Sequence, residues 1–308
     1  RILTAEEDSL KWELSYSLEK ILNYRDIESC HETVTDMLRL SCNDEQRRIS
    51  ESCYSNILYK MDSLKMALSV LSRIDTLDMS REALGIYCFA AYHIYGKLSH
   101  DSAEYDTLKR AIIDKWWSRD STAVECAYYR NETLRPEGNY RIALDRLLAC
   151  KLRTPNDTAK VNYFLANEYA YLGDTEKAIE YYAASAECDM RLGVKAYNAL
   201  YELARILFRT GDIERADRYM RITLKDAYSS HYESRYDDVI KSELEIMNVL
   251  LDQQQKKKRA YYTTSVAVAM LLFVAVISIF LLGRYSSRLN QSRRQLSEVS
   301  RIKDSFLA

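Results

Sequence analysis

The sequence predicts an all-α chain: an array of helix hairpins, then one membrane-spanning helix, then a short coiled-coil-like helix. Three observations predict it. Only 7 glycines and 2 prolines occur in 308 residues, against an average usage of roughly 7% and 5%, and strand connections need such turn residues. Apolar residues at 47% and charged residues at 29% suit packed amphipathic helices. The third observation is Ala260–Gly283, which carries no charged residue at all.

The formal charge of −1 hides a split. Residues 256–308 carry ten Lys/Arg and two acids, a net of +8, so the first 255 residues carry −9. An acidic array argues against nucleic-acid binding there. The seven cysteines (Cys30, Cys42, Cys53, Cys88, Cys126, Cys150, Cys188) are odd in number and widely spaced, with no CxxC pair. That pattern fits small core residues better than zinc ligation or a disulfide framework. The four histidines (His31, His93, His100, His231) show no HxxxH or HExxH spacing, and adjacent Cys30 and His31 cannot face one metal from a helix. GxGxxG, Walker and GxSxG motifs are all lacking. The expectation is therefore no catalytic residue, no cofactor and no metal.

Taken in chain order, residues 1–227 read as about six helix pairs. Glu7–Leu40 supplies the first, Tyr54–Leu71 with Ala67 the second, and Tyr87–Ile112 with Ala111 the third. The fourth centres on Gly138-Asn139-Tyr140 with Ala143 and Leu147; Arg130 and Asn131 stand where later hairpins have a Leu-Ala pair, so its first helix should pack imperfectly or shift register. The fifth and sixth are an internal repeat with an offset of 38 residues. Val161–Cys188 aligns with Tyr197–Leu224, matching Leu165-Ala166 to Leu203-Ala204, Gly173-Asp174 to Gly211-Asp212, and Ala178 to Ala216. Glycine lets a helix end and turn, aspartate or asparagine at 174, 212 or 139 can cap the next helix, and the alanines let paired helices approach closely.

Residues 228–259 read as a connecting segment. Within it, Asp237–Gln255 is amphipathic, with Val239, Ile240, Leu244, Ile246, Met247 and Leu250 expected to pack on the last hairpin. Between Gly211 and Gly283 there is no Gly or Pro, so one nearly continuous helix is expected from about 237 to 282. Residues 260–283 are the transmembrane helix: about 20 apolar residues cross a bilayer core, and Tyr261, Tyr262 and Tyr285 stand where interfacial aromatics belong. In 284–308, Leu289, Ser292, Leu296, Val299, Lys303 and Phe306 follow heptad steps of 3 and 4. These point to a homodimeric coiled coil. The competing reading is a basic helix resting Arg288, Arg293 and Arg294 on anionic headgroups.

The small-residue, Gly-Asp and Ala-x-x-Tyr/Met pattern of residues 159–227 resembles the tetratricopeptide repeat. This implies a right-handed superhelical array that binds a protein or peptide ligand on a concave face lined by the first helix of each pair. The outward positions of those helices are then Tyr163, Asn167 and Tyr171 in one hairpin and Tyr201, Arg205 and Arg209 in the next, residue types that combine contact area with a polar handle. A wider resemblance is carried by Ser185-Ala186, Asp189, Leu203-Ala204, Gly211-Asp212-Ile213, Arg215-Ala216, Tyr219, Asp226-Ala227 and the tail LSEVSRIKDSFLA. These are similar to a bacterial membrane-regulator family with periplasmic tetratricopeptide-like repeats, one membrane helix, a cytoplasmic coiled coil and a helix-turn-helix-like output region. That resemblance implies a sensor in the inner membrane of a Gram-negative bacterium, with the DNA-binding part beyond residue 308. The tail also resembles the linker of membrane histidine kinases, and a scaffold without output is a third possibility.

Charge leaves the orientation tied, with four Lys/Arg within 15 residues on each side of the membrane segment. Following the resemblance, residues 1–259 are predicted to be periplasmic and 284–308 cytoplasmic. In a cysteine-free background, an impermeant thiol reagent applied to intact cells should label Gln255→Cys and spare Asn290→Cys. Labelling at 290 but not at 255 would overturn the topology.

Overall fold

The computed structural model describes residues 2–133, 135–136, 138–195, 198–231 and 236–306, with side chains described for 6–132, 135–136, 138–195, 198–231 and 236–301. Two compact units are present, Arg1–Met247 and Asn248–Ala308. Among the described residues every regular element is helical. The first unit holds six hairpins: α1 (Ile2–Leu22) with α2 (Ile27–Leu40), α3 (Asp44–Lys60) with α4 (Leu64–Leu71), α5 (Arg81–Leu98) with α6 (Ala103–Arg119), α7 (Val124–Arg130) with α8 (Tyr140–Leu148), α9 (Pro155–Tyr171) with α10 (Thr175–Leu192), and α11 (Asn198–Arg209) with α12 (Ile213–Ser230). The last helix, α13, runs from Tyr236 to Phe306. Tyr197, where the second repeat begins in the alignment, lies outside the described residues.

Local chemistry sets the hairpin boundaries. Gly138, Gly173 and Gly211 take φ of 73°, 78° and 89°, the left-handed conformation that ends a helix without a Cβ penalty. Asp174 then accepts the amide of Lys177 at 3.1 Å and Asp212 that of Arg215 at 3.1 Å, while Asn139 occupies the cap position of α8. Asp26, Asn43 and Ser80 cap α2, α3 and α5 by the same kind of bond. At α9 the cap is reciprocal: Pro155 starts the helix, and the Asp157 carboxylate reaches back to accept the Thr154 amide at 3.0 Å.

The expected alanines form the helix-to-helix seams. Ala67, Ala143, Ala166, Ala178, Ala204 and Ala216 are all fully buried. Larger residues then fill the space between seams: Leu207 and Met220 are buried too, each contributing about 1.5–3 kcal/mol. Ala111 departs from the expectation and faces solvent. The third hairpin closes instead through Ile113 and Trp116, whose indole lies beside Gly85 of α5. The first helix of the fourth hairpin is short. Where a Leu-Ala pair would continue α7, the chain tightens into a 3₁₀ turn at Asn131–Thr133, and the buried Asn131 amide donates to the Ala143 carbonyl at 3.0 Å.

The start of α13 covers the last hairpin. Val239 and Ile246 are buried, Ser242 lies 3.1 Å from the Tyr201 hydroxyl, and Glu243 pairs with Arg221 at 3.8 Å. Leu244, expected in this stripe, is exposed, because positions 239, 242/243 and 246 already define the packed face at helical spacing.

Among the described residues, α13 is the one helix long and apolar enough to cross a membrane, and its apolar residues 266–282 lie in the second unit. Its single polar residue in 266–282, Ser278, returns its hydroxyl to the Val274 carbonyl at 2.8 Å, which satisfies it without a partner helix. Of the heptad positions, Leu289, Leu296 and Val299 are exposed in the single chain. The side chains of Lys303 and Phe306 lie outside those described.

Two glycine substitutions should move stability in opposite directions. Gly173→Ala meets no neighbour within 4 Å but must hold a φ of 78°, at a cost of about 1–2 kcal/mol. Gly85→Ala sits within a helix and meets the Trp116 ring at an ordinary 3.6 Å, so it should stabilise by about 0.5–1 kcal/mol. Thermal unfolding of the two variants checks the contrast. Equal shifts of the same sign would refute the assigned turn geometry.

Candidate functional site

The first unit closes on itself. The turn between α1 and α2 reaches the turn between α10 and α11, where the Lys195 amide donates to the Tyr24 carbonyl at 2.8 Å and the Arg25 guanidinium donates to the Leu192 carbonyl. At the end of α12, His231 lies 3.6 Å from Asp26 and 3.8 Å from Glu28. Closure leaves a cavity of about 440 Å³ inside the array. Its wall comes mainly from the first helices of the hairpins: Lys60 of α3, Phe89, Tyr92 and His93 of α5, Tyr128 and Tyr129 of α7, and Lys160, Tyr163 and Phe164 of α9, joined by Asp189 of α10. A second cavity, of about 800 Å³, shares Tyr24, Glu125 and Lys160 with the first.

Stacked rings build the wall. Tyr92 and Tyr129 lie 3.7 Å apart between centroids, and Tyr128 and Phe164 lie 3.9 Å apart. The Arg135 guanidinium sits between the rings of Tyr128, at 4.7 Å, and Tyr171, at 4.6 Å, an arrangement of cation over ring faces. Its charge is met by Glu168, fully buried and 3.0 Å away.

The ionic groups are mostly paired. Lys160 reaches Glu125 at 2.5 Å. Burial lowers that ammonium's pKa, but the nearby Tyr24 and Glu125 outweigh it and leave the pKa raised. Lys60 donates to the Asn23 carbonyl at 2.7 Å, and burial lowers its pKa. Glu132 accepts from the Tyr92 hydroxyl and pairs with Lys109 at 3.2 Å. Burial, with Lys60 adding to it, pushes the His93 imidazole down to about 4, so it is neutral at pH 7 and bonds the Tyr129 hydroxyl at 3.0 Å. Asp189 differs: burial pushes its carboxyl up to about 7, against the opposing charge of Lys160. Among the described residues no cluster of His, Cys, Asp or Glu is placed to hold a metal ion.

The six residues singled out in the sequence divide. Tyr163 and Tyr171 line the cavity, Tyr171 more than half exposed at its rim. Asn167 is buried instead of outward, donating to the Tyr128 hydroxyl at 2.9 Å and accepting from Tyr182 at 2.6 Å. Tyr201 is buried as well, because α13 covers the face of α11 that a further hairpin would have left open. Arg205 is half-buried, pairs with Glu202 at 3.0 Å and lies 5.4 Å from the Tyr201 ring. Arg209 is exposed at the end of α11. Sequence reasoning missed Lys60, His93, Tyr128, Arg135 and Lys160. The excess of tyrosine, 25 in all, was their one visible trace.

Residues 36–241, two-thirds of the chain, match a family described as the SusR N-terminal TPR domain. No curated protein sequence matches significantly. Among solved structures, the chain is similar to a Rap protein complexed with competence and sporulation factor (14% identity, TM-score 0.47, covering 81% of this chain and 88% of that one). It is also similar to the TPR2AB domain of yeast Sti1 in complex with an HSP90 peptide (12%, 0.35, 80% and 100%). A third is the C-terminal part of a TPR repeat-containing protein from Cytophaga hutchinsonii (15%, 0.32, 76% and 95%).

The buried ion pair yields a stability test. Arg135→Met strands the carboxylate of Glu168 in the interior, which should cost about 3 kcal/mol. Adding Glu168→Gln removes the stranded charge and should recover at least half of the loss. Denaturant titrations of the single and double variants measure this. An additive double variant would show that the two side chains do not depend on each other.

Proposed function

We propose, because the chain belongs to the SusR N-terminal TPR domain family, that it is a membrane-anchored sensor without catalytic chemistry of its own. Tetratricopeptide arrays are interaction surfaces: stacked hairpins create a concave face on which partners bind. Here the array takes a protein or peptide partner in its inner cavity and passes the event across the inner membrane to a cytoplasmic, DNA-binding output region. The cavity carries this reading, since its wall is built mainly from the first helices and offers ring faces beside charged groups. Tyr163 and Tyr171 meet the partner directly. Asn167 holds the Tyr128 and Tyr182 hydroxyls in place, while Tyr201 and Arg205 act at the seam with α13, and Arg209 offers an exposed charge beside it.

Transmission runs along α13. The helix begins against α11 and α12 through Val239, Ser242 and Ile246 and contains the apolar residues 260–283. Because each residue in an unbroken helix is held by its neighbours' hydrogen bonds, a shift of the last hairpin moves the whole segment. KKKR at 256–259 then fixes its depth at the headgroups, and Leu289, Leu296 and Val299 bring two copies together.

A two-part experiment tests this. Tyr163 replaced by benzoylphenylalanine should cross-link the partner in cells, and capture should change the disulfide yield of Leu289→Cys between two copies. Inserting Gly-Gly-Pro-Gly after Gln255 should abolish the change at 289 while leaving capture and membrane insertion intact. Persistence of the change in the insertion variant would sink the continuous-helix route. Failure of capture would sink the cavity as the partner site.

A further inference from the structure

Among the described residues, one charged group lining the inner cavity has no hydrogen bond or ion pair to answer it. Lys160, Lys60 and Arg135 are each engaged, by Glu125 at 2.5 Å, by the Asn23 carbonyl at 2.7 Å and by Glu168 at 3.0 Å. Glu132 is held by Tyr92 and Lys109. Asp189 faces the same space from α10, only 9% exposed, and has no hydrogen bond or ion pair from its carboxyl among the described residues. Its backbone carbonyl is occupied, accepting the Val194 amide at 2.9 Å, so α10 and the following turn fix the residue in place. One turn earlier, Ser185 is also committed, to the Ala159 carbonyl at 2.7 Å.

An unpartnered carboxylate in such a position is costly. Helix α10 could have carried an asparagine or alanine there at no loss to any contact described. Lys160 on α9 is the cation whose field reaches it, yet that ammonium is committed to Glu125 on α7. The remaining wall is largely aromatic, with the rings of Tyr163 and Phe164 among those facing the cavity. A cavity lined by both a carboxylate and aromatic rings is an environment in which an organic cation gains an ion pair and cation–π contact.

We propose that Asp189 anchors a primary ammonium group of the partner, carried on an apolar or aromatic stem, inside the cavity. The inference rests on the reading that this cavity takes the partner, and adds the charge class that it selects. A chain N-terminus and a lysine side chain present the same chemistry. The cation draws the proton off Asp189 on entry, so binding strengthens as pH rises through about 7, where the free carboxyl ionises.

The test uses the full chain in lipid nanodiscs and phenethylammonium as probe, with uncharged 2-phenylethanol as its control, followed by calorimetry. Phenethylammonium should bind the native protein about tenfold more tightly at pH 8 than at pH 6, matching the rise in ionised carboxylate expected for a pKa near 7. Asp189→Asn should weaken it at least tenfold at pH 8 and flatten the pH profile, leaving 2-phenylethanol unaffected. Phenylalaninamide and Nα-acetyl-lysinamide then separate a chain N-terminus from a side chain as the source. Folding is not the confounder, because removing a buried, unpaired charge should raise the thermal midpoint above pH 7. Equal affinity of phenethylammonium for both proteins, a flat profile in the native protein, or no binding at 10 mM each overturns the proposal. If that happens while benzoylphenylalanine at 163 still captures the partner, only the charge selection has failed; if capture is also lost, the cavity reading itself has failed.

Discussion

Everything in this array depends on hairpins that cannot bury their apolar faces alone. A pair such as α9 and α10 leaves one side of its packed face open, and only the neighbouring hairpin can close it. Alanine sets how closely that closure can occur. With Ala166, Ala178, Ala204 and Ala216 fully buried, adjacent helices approach near enough for Leu165, Leu207 and Met220 to fill the remaining space at core density. The same constraint explains the beginning of α13. The sixth hairpin has no seventh beside it, and Val239 and Ile246 supply the missing apolar face.

Stacking alone does not account for the interior. The six hairpins return on themselves until the α1–α2 turn meets the α10–α11 turn, bonded at Tyr24 and Lys195. Groups that would have lined an open groove become walls of a cavity, partly removed from water. Burial then changes their chemistry. His93 is held neutral, Lys60 is lowered and Asp189 is raised, while Arg135 lies within ion-pair distance of Glu168. Charges preplaced in such an interior are each worth more than at the surface.

The fourth hairpin shows how far a local irregularity can be absorbed. Arg130 and Asn131 break the pattern that later hairpins keep, and α7 ends there. Asn131 nevertheless repairs the seam by bonding the Ala143 carbonyl, and Arg135, just beyond the break, reaches the rings of Tyr128 and Tyr171. The cation that lines the cavity here thus comes from just beyond the break in the repeat pattern.

The sequence by itself determined the helical class, the Gly-Asp turns, the alanine seams of the second, fourth, fifth and sixth hairpins, and the apolar segment, because each depends on residues within one turn or one hairpin of each other. The shared face of Tyr163 and Tyr171 follows from helical spacing within α9 for the same reason. Only the tertiary structure decided what those positions face. Asn167 and Tyr201 share the outward register of their helices, yet Tyr182 and Tyr128 enclose the first and α13 covers the second. The cavity draws on residues from Tyr24 to Ala199. Lys60 beside Tyr24, or Asp189 near Lys160, depends on how small rotations between successive hairpins accumulate. No local pattern encodes that sum, so the partners of a buried charge become visible only once the array has closed.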